Sequence, residues 1–220
     1  FDRSSTVSMV VPSGLQTGYL RSLMESLQTF PQANLTEIVV VIAPDQLSEV
    51  EYALSDVTLS VPLQIVPLQQ DSYGHGRALN AGIAKASGEF IVVCDDDTEI
   101  LHADWLVPLL GIASQVDVGC VAPRLMTNRG SEARVVGGPI VLGINGTAAP
   151  YNGEEGRLEE NGVFSRLKVT QDVSAVAGHF FLLRRTNWEA LGGFSEVEFG
   201  LWFTVLDYCL RQSKAGKRHV

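Results

Sequence analysis

GEFIVVCDDD, residues 88–97, is a run of five apolar residues that ends in three consecutive aspartates. A short apolar run of this kind, introduced by a glycine and rich in β-branched residues, predicts a buried strand. The aspartates then follow the carboxyl end of that strand, where open α/β sheets bind their ligands. This stretch therefore predicts both a fold class and the place of a functional site.

Strand and helix patterns alternate on both sides of this stretch. Apolar runs that predict strands lie at residues 7–11, 37–42 and 63–68, and residues with helical apolar spacing follow them at 20–27, 46–56 and 77–86. A further helix is predicted at residues 104–113. The alternation predicts an α/β fold, with a mostly parallel central sheet flanked by helices.

The second half of the chain has a different pattern, in which glycines interrupt short β-like runs. A strand is predicted at residues 176–183 and a last helix at residues 206–214. Residues 145–161 predict a long loop, and loops of this length are often functional lids or binding loops.

The composition limits the class of protein. The 220 residues predict a single domain, and the 45% hydrophobic content excludes a disordered chain. The net charge of -9 excludes a generally basic surface for nucleic acid. No apolar run is long enough for a membrane helix, and the start at Phe1 predicts a fragment of a longer protein.

The three cysteines, Cys94, Cys120 and Cys209, show no C-x-x-C spacing. Neither a disulfide framework nor a zinc site is expected from this pattern, and the cysteine usage is typical of a reducing cytosol.

Asp95 and Asp97 predict a metal site. In an extended chain they point to the same side, whereas Asp96 points away. Two carboxylates about 5 Å apart repel by roughly 3 kcal/mol at an effective dielectric of about 20. A divalent cation removes this repulsion, and oxygen ligands suit Mg²⁺ or Mn²⁺. The alternative is a solvated turn in which Asp97 caps the next helix.

The segment GHGRALNAG, residues 74–82, lies between the third predicted strand and its helix. A dinucleotide-binding G-x-G-x-x-G motif would need glycine in place of Leu79. Because Asp95 follows at about the distance that this motif expects, a nicotinamide-dependent dehydrogenase remains an alternative. His75 fits a loop residue or a catalytic base.

Seven segments occur in the order seen in the inverting family-2 glycosyltransferases of the GT-A type, and the chain resembles this family over nearly all of its length. They are VSMVVP (7–12), GHGRALNAG (74–82), GEFIVVCDDDTE (88–99), WLVPL (105–109), VSAVAG (173–178), LGGFSE (191–196) and DYCLR (207–211). The details are most similar to bacterial enzymes that build rhamnose-containing or O-antigen-like polysaccharides.

The resemblance implies one GT-A domain over residues 1–220, with a small second sheet beside the central one. Residues 1–113 would bind the nucleotide sugar and residues 114–220 the acceptor. The implied reaction moves a sugar from a nucleotide-diphosphate donor to a hydroxyl of a saccharide or lipid-linked acceptor, with Mn²⁺ or Mg²⁺. The implied location is the cytoplasm, or the inner face of the membrane through other domains of the parent protein.

The resemblance and the positions after the predicted strands also give a set of candidate site residues. The donor side comprises Pro12, Ser13, Arg77, Asn80, Asp95 and Asp96. The metal ligands are Asp95 and Asp97, and the acceptor side comprises Gly178 and His179.

The chain departs from the family pattern at the general base. The run 204–207 is Thr-Val-Leu-Asp, so that Val205 occupies the position of the family's carboxylate base. Valine accepts no proton, which leaves Asp207 and Glu198 as the candidate catalytic residues. An alternative function is therefore a weak or inactive module that binds sugar nucleotide or serves as a scaffold.

Overall fold

The computed structural model describes residues 4–14, 16–69, 74–127, 133–137, 140–144, 147–150, 165, 168–196 and 199–220. Its strands are β1 (Val7–Pro12), β2 (Leu35–Ile42), β3 (Leu63–Pro67), β4 (Phe90–Cys94), β5 (Cys120–Val121), β6 (Leu125–Thr127), β7 (Arg134–Gly137), β8 (Ile140–Ile144), β9 (Thr147–Pro150) and β10 (Phe180–Arg184). Its α-helices are α1 (Thr17–Thr29), α2 (Leu47–Leu54), α3 (His75–Lys85), α4 (Leu106–Ala113), α5 (Arg185–Ala190) and α6 (Gly200–Lys214).

Six strands form the central sheet in the order β3-β2-β1-β4-β10-β5. The first four are parallel, and β10 runs antiparallel to both β4 and β5. Two small antiparallel pairs, β6–β7 and β8–β9, stand beside it. The prediction of a mostly parallel sheet with helices and a smaller second sheet is therefore confirmed.

The core has two layers, one on each face of the sheet. Successive residues of a strand face opposite sides, and accordingly Met9 and Val10 of β1 belong to different apolar clusters. The first cluster packs beneath α1, α2 and α4, and the second beneath α3 and α6. No helix among the described residues is long and apolar enough to cross a membrane.

A close contact fixes α3 against the sheet. A Cβ added to Gly82 would lie 2.4 Å from Val10 Cγ1 and 2.9 Å from Val41 Cγ2, so that only glycine permits this approach. Because α3 begins at His75, this packing places the first turn of the helix at the carboxyl edge of β1 and β2, next to the aspartates.

The largest differences from the predicted elements lie in the second half of the chain. Helix α6 begins at Gly200 rather than at residue 206. Its first turns show no single apolar stripe in the sequence, because Phe203 is exposed whereas Val205 and Leu206 are buried. Strand β10 begins at Phe180 rather than at residue 176, because the chain turns at Gly178 and His179. Strand β9 lies within the predicted loop 145–161, where it pairs with β8, and residues 145–146 and 151–161 of that loop lie outside the described residues.

The amino-terminal edge of the sheet carries a tightly bonded carboxylate. Glu37 Oε1 accepts hydrogen bonds from Ser8 Oγ at 2.6 Å, from Ser87 N at 2.6 Å and from Ser87 Oγ at 2.7 Å. Beside it, the Arg185 guanidinium donates to the carbonyl oxygens of Gly88, Ile83 and Ala86, which closes the end of α3. The polar groups at this edge are thus paired with one another.

Candidate active site at the carboxyl edge of the sheet

Asp96 links the loops that follow β1 and β4 through hydrogen bonds. Its Oδ2 accepts hydrogen bonds from Ser13 Oγ and from Gly14 N, both at 2.8 Å. Ser13 is buried, and its own N–H donates to Val41 O at 2.8 Å. The structure therefore brings the predicted donor-side residues Ser13 and Asp96 together next to Pro12, the last residue of β1. Contact of these residues with a donor stays a prediction.

Asp95 is paired with His179 on the neighbouring antiparallel strand. The register of β4 and β10 sets Phe180 opposite Cys94, so that the next residues outward also meet. His179 Nδ1 lies 2.7 Å from Asp95 Oδ2, and Asp95 N donates to His179 O at 2.8 Å. The hydrogen bond to Asp95 raises the pKa of His179. From the sequence, Asp95 was expected on the donor side and His179 on the acceptor side. In the structure the two side chains are in direct contact.

Asp97 lies in a turn rather than in an extended strand. The chain turns at Asp96 and Asp97, so that the strand alternation assumed from the sequence does not continue beyond Asp95. Partial burial and the negative charges of Asp95 and Asp96 raise the pKa of Asp97. The three carboxylates thus remain close enough to repel one another, although a turn and not strand pleating brings them together.

The donor set fits a hard divalent cation. Among the described residues, no lysine or arginine forms an ion pair with Asp95, Asp96 or Asp97. Carboxylate oxygens are the ligands that Mg²⁺ and Mn²⁺ prefer. Burial and the charges of Asp95 and Asp96 together raise the pKa of Asp97, and a bound cation would offset both effects. The residues present are therefore suited to holding such an ion.

The first turn of α3 completes this edge. A Cβ added to Gly76 would lie 2.2 Å from Ser195 O, so glycine lets the helix start approach the 192–196 turn. Arg77 is exposed, and its Nε lies 3.4 Å from Glu196 Oε2. Its guanidinium is a mobile positive charge beside an otherwise acidic site.

His75 belongs to the site, although its sequence position also fitted an ordinary loop residue. Burial lowers the pKa of His75, and the negative charge of Asp95 opposes this effect. Its Nε2 is buried and has no hydrogen-bond partner among the described residues. The signal in the sequence was its position at the start of a helix after a parallel strand, between Gly74 and Gly76.

Asn80 has a structural role that the sequence did not suggest. Its Oδ1 accepts from Phe194 N at 2.9 Å and from Trp188 Nε1 at 3.1 Å. Its Nδ2 donates to Phe194 O at 2.9 Å and to Glu196 Oε1 at 3.1 Å. The amide thus holds the 192–196 turn, in which Gly193 has a φ of +81°. Contact between Asn80 and a donor stays a prediction.

The candidate general bases differ in their surroundings. Val205 is fully buried in the apolar cluster that contains Phe194 and Tyr208. Residue 205 thus faces the core in α6, and its correspondence with the family's general base stays a prediction. Gly178 is partly buried in the turn before β10. Glu198 lies outside the described residues.

Asp207 is engaged in a structural ion pair. Its Oδ2 lies 2.9 Å from Arg211 Nε, one helical turn further along α6. The remaining guanidinium nitrogens of Arg211 donate to Leu191 O at 3.1 Å and to Gly193 O at 2.9 Å. Asp207 therefore helps to hold the same turn that Asn80 binds, and a role as general base stays a prediction.

This fold, with clustered aspartates at the carboxyl end of β4, is the fold of GT-A glycosyltransferases. Residues 8–191 match the family described as Glycosyl transferase family 2. The chain belongs to glycosyl transferase family 2. It is 30% identical over 209 residues to the O-antigen biosynthesis protein RfbC of Myxococcus xanthus, and 28% identical over 218 residues to the uncharacterized protein y4gI of Sinorhizobium fredii.

These alignments cover 89% and 97% of this chain, but only 16% of RfbC and 23% of y4gI. The chain thus spans less than a quarter of the length of either relative.

Solved structures share the fold at low sequence identity. A mannosyltransferase from Pyrobaculum calidifontis, in complex with GDP-Man and Mn²⁺, superimposes with a TM-score of 0.68 and 18% identity, over 98% of this chain and 54% of that one. GalNAc-T7, with UDP, GalNAc and Mn²⁺, gives a TM-score of 0.66 and 17% identity, over 100% of this chain and 43% of that one. TarS of S. aureus gives a TM-score of 0.57 and 17% identity, over 98% of this chain and 58% of that one.

Proposed function

We propose that this chain is a glycosyltransferase domain that moves a sugar from a nucleoside-diphosphate donor to an acceptor hydroxyl, with a divalent cation. The observation that carries the proposal is the group of three carboxylates at the carboxyl end of β4, which has no lysine or arginine partner among the described residues and in which only Asp95 contacts a histidine. Family membership and the Mn²⁺ and nucleotide-sugar complexes of its structural neighbours support it.

Asp95 and Asp97 are the proposed metal ligands. When bound, the cation stabilises the negative charge that develops on the leaving diphosphate. The hydrogen bond from His179 fixes one oxygen of Asp95, and it thereby limits the orientations that the carboxylate can adopt. The hydrogen bonds to Asp96 fix the loop after β1, so that the two sides of the donor pocket keep one geometry.

Arg77 is the proposed cationic contact for the donor's phosphates. It is exposed at the start of α3, where helix N–H groups also favour an anion. Its weak partner, Glu196 at 3.4 Å, can be exchanged for phosphate without breaking a buried ion pair. The net charge of -9 makes such a local cation useful for holding an anionic donor.

The acceptor is proposed to be a saccharide or a lipid-linked saccharide of a bacterial surface polysaccharide, bound near Gly178 and His179. The relationship to RfbC supports this substrate class. The small coverage of both relatives supports further domains in the parent protein. We place the reaction in the cytoplasm or at the inner face of the membrane.

A second candidate function is a module that binds sugar nucleotide without efficient turnover. The burial of Val205 and the pairing of Asp207 with Arg211 favour it, because neither residue is a free base. A positioned general base contributes about 10² to 10⁴ in rate. The two functions therefore share the donor site and differ in turnover.

Calorimetric titration with UDP, GDP and dTDP tests the donor site. With Mn²⁺ or Mg²⁺ present, one nucleotide should bind at least about tenfold more tightly than in a chelator, equivalent to about 1.4 kcal/mol. Equal affinity in both buffers would contradict a metal-dependent site.

Release of sugar from the matching donor, with and without a saccharide acceptor, separates an enzyme from a binding module. Arg77→Ala should weaken nucleotide binding in the presence of the cation, and Arg21→Ala, on the exposed face of α1, is its control. If both variants bind as the parent does, Arg77 is not part of the donor site.

A further inference from the structure

A second group of potential metal ligands lies in the interior at the β5 edge of the sheet. Cys120 belongs to β5, Cys209 to α6 and His219 to the terminal segment, and all three are fully buried. Their ligand atoms lie within 4.8 Å of one another. Three elements that are distant in the sequence thus converge on one point.

Backbone hydrogen bonds hold the terminal segment at this point. Gly119 N donates to Arg218 O at 2.8 Å, Val220 N donates to Cys120 O at 3.0 Å and Ala122 N donates to Val220 O at 2.9 Å. The segment therefore runs alongside β5, and His219 is placed by regular pairing rather than by a mobile tail.

The contacts of His219 match those of a metal-bound imidazole. Nε2 lies 2.9 Å from Cys209 O and 3.1 Å from Ser213 Oγ, and Nδ1 lies 3.2 Å from Cys120 N. Metal-bound histidines usually donate their second ring N–H to a backbone carbonyl or a carboxylate. With Nε2 donating to Cys209 O, Nδ1 is the acceptor of the ring, and it accepts the 3.2 Å hydrogen bond from Cys120 N that a metal would have to displace.

Gln212 lies beside Cys120 with its side chain fully buried, and its Nε2 lies 3.7 Å from Cys120 Sγ. Its Oε1 accepts no hydrogen bond of regular geometry among the described residues, although the amide also lies beside the buried hydroxyl of Tyr208. A buried amide oxygen of this kind normally has a donor or a cation beside it. A Cβ added to Gly119 would lie 2.6 Å from this oxygen and 2.9 Å from His219 Cε1, so that only glycine leaves room for the group.

We propose that Cys120, Cys209 and His219 form a structural zinc site, with Gln212 Oε1 at the fourth position. Two thiolates and one imidazole are a ligand set that Zn²⁺ accepts, and soft sulfur ligands disfavour Mg²⁺ and Mn²⁺. The ion joins β5, α6 and the terminal segment, and the thiol protons pass to solvent as it binds. Sequence spacing predicted no zinc site, because the ligands come from three separate elements.

Metal analysis and cobalt substitution test the proposal on the folded 220-residue chain. Protein from zinc-supplemented cells should hold about one zinc per chain, in the manner of a structural site. After removal of zinc with a chelator, Co²⁺ should produce a thiolate-to-cobalt charge-transfer band. Removal should also lower Tm, because the ion binds the folded state.

Matched variants separate this site from the aspartates. Cys209→Ser and His219→Gln should lose the zinc and the charge-transfer band, whereas Cys94→Ala, at the third buried cysteine, should retain both. Asp97→Asn should also retain the band, since oxygen ligands do not produce it. If the chain binds no nucleotide, the zinc content and the charge-transfer band can therefore still test this proposal.

A folded parent protein that holds no zinc and gives no cobalt–thiolate band overturns the proposal, whatever the variants do. A disulfide between Cys120 and Cys209, detected by mass spectrometry in protein purified without reductant, also overturns it.

Discussion

The two edges of the central sheet shift the pKa of their carboxyl groups in opposite directions. At the amino-terminal edge, burial opposes ionisation of Glu37, but hydrogen bonds from Ser8 and Ser87 lower its pKa. At the carboxyl edge, partial burial and two neighbouring carboxylates raise the pKa of Asp97. The amino-terminal edge directs three hydrogen bonds to one carboxylate, whereas the carboxyl edge gathers three carboxylates, with the named hydrogen bonds going to Asp95 and Asp96.

This difference separates structure from function within one sheet. A carboxylate that accepts three short hydrogen bonds contributes to stability, and it has little capacity left for a ligand. A group of carboxylates without cationic partners costs stability and gains from a bound cation. The carboxyl edge is therefore suited to binding a ligand, whereas the amino-terminal edge stabilises the fold. The following predictions test this contrast, beginning with the largest effect.

Val205→Asp places a carboxylate in the apolar cluster beneath α6. Val205 is fully buried between apolar side chains, so an ionised or unsatisfied carboxyl group should lower the free energy of unfolding by about 3–5 kcal/mol. Urea unfolding measures the loss. Phe203→Asp introduces the same charge on the same helix at a residue that is 51% exposed, and it should cost far less. Similar losses in both variants would show that residue 205 is not in the core.

Asp97→Asn removes one anionic ligand from the carboxyl edge. Nucleotide affinity in Mn²⁺ should fall by about a hundredfold, or about 2.7 kcal/mol, and affinity in chelator should not change. Calorimetry measures both values. Asp56→Asn makes the same chemical change in an exposed ion pair with Arg21, and it should bind as the parent does. Parent-like affinity of Asp97→Asn in Mn²⁺ would remove Asp97 from the metal site.

Glu37→Gln tests the supporting edge. The amide oxygen can still accept hydrogen bonds from Ser8 and Ser87, but the bonds lose their charge assistance, and unfolding should become easier by about 1–2 kcal/mol. Metal-dependent nucleotide affinity should stay within about twofold of the parent, since the residue lies at the opposite edge. Loss of binding with unchanged stability would reverse the roles assigned to the two edges.

Much of the fold could be predicted because apolar periodicity and burial agree along the first half of the chain. Strand β4 spans Phe90–Cys94 as predicted, and the position of the aspartates after it follows from parallel-sheet geometry. The start of helix α6 was predicted too late because its apolar residues lie on more than one face, with Phe203 exposed and Val205 buried. Local pattern thus predicts elements, whereas their ends depend on tertiary contacts.

The site was predicted less completely, because its details depend on pairing between distant segments. The contact of Asp95 with His179 follows from the register of β4 and β10, which the sequence does not give. The engagement of Asn80 with the 192–196 turn likewise joins residues more than 100 positions apart. The convergence of Cys120, Cys209 and His219 has the same origin. The sequence shows the chemistry of each side chain, but it does not show which distant side chain each one contacts.

The smallest expected effect is a difference in pH dependence between the two edges. The folded pKa of Glu37 is lowered, so its contribution to stability is present above its unfolded pKa of about 4.3 and is lost as pH falls through the folded value. The folded pKa of Asp97 is raised, so its charge destabilises the fold at neutral pH, and this cost disappears as pH falls through the folded value toward about 3.9.

Glu37→Gln should therefore lower Tm most at neutral pH, and Asp97→Asn should raise Tm there by the equivalent of less than about 1 kcal/mol, the scale of exposed charge pairs. The gain of Asp97→Asn should shrink before pH falls to about 3.9, because the raised pKa neutralises Asp97 early, whereas the loss of Glu37→Gln should shrink only as pH falls below about 4.3. Thermal unfolding between about pH 3.5 and pH 8, in low salt with chelator, measures both curves. Added Mn²⁺ should cancel the gain of Asp97→Asn at neutral pH, since the parent then gains the cation that relieves its repulsion. A Tm for Asp97→Asn below that of the parent in chelator would show that Asp97 is a supported carboxylate like Glu37.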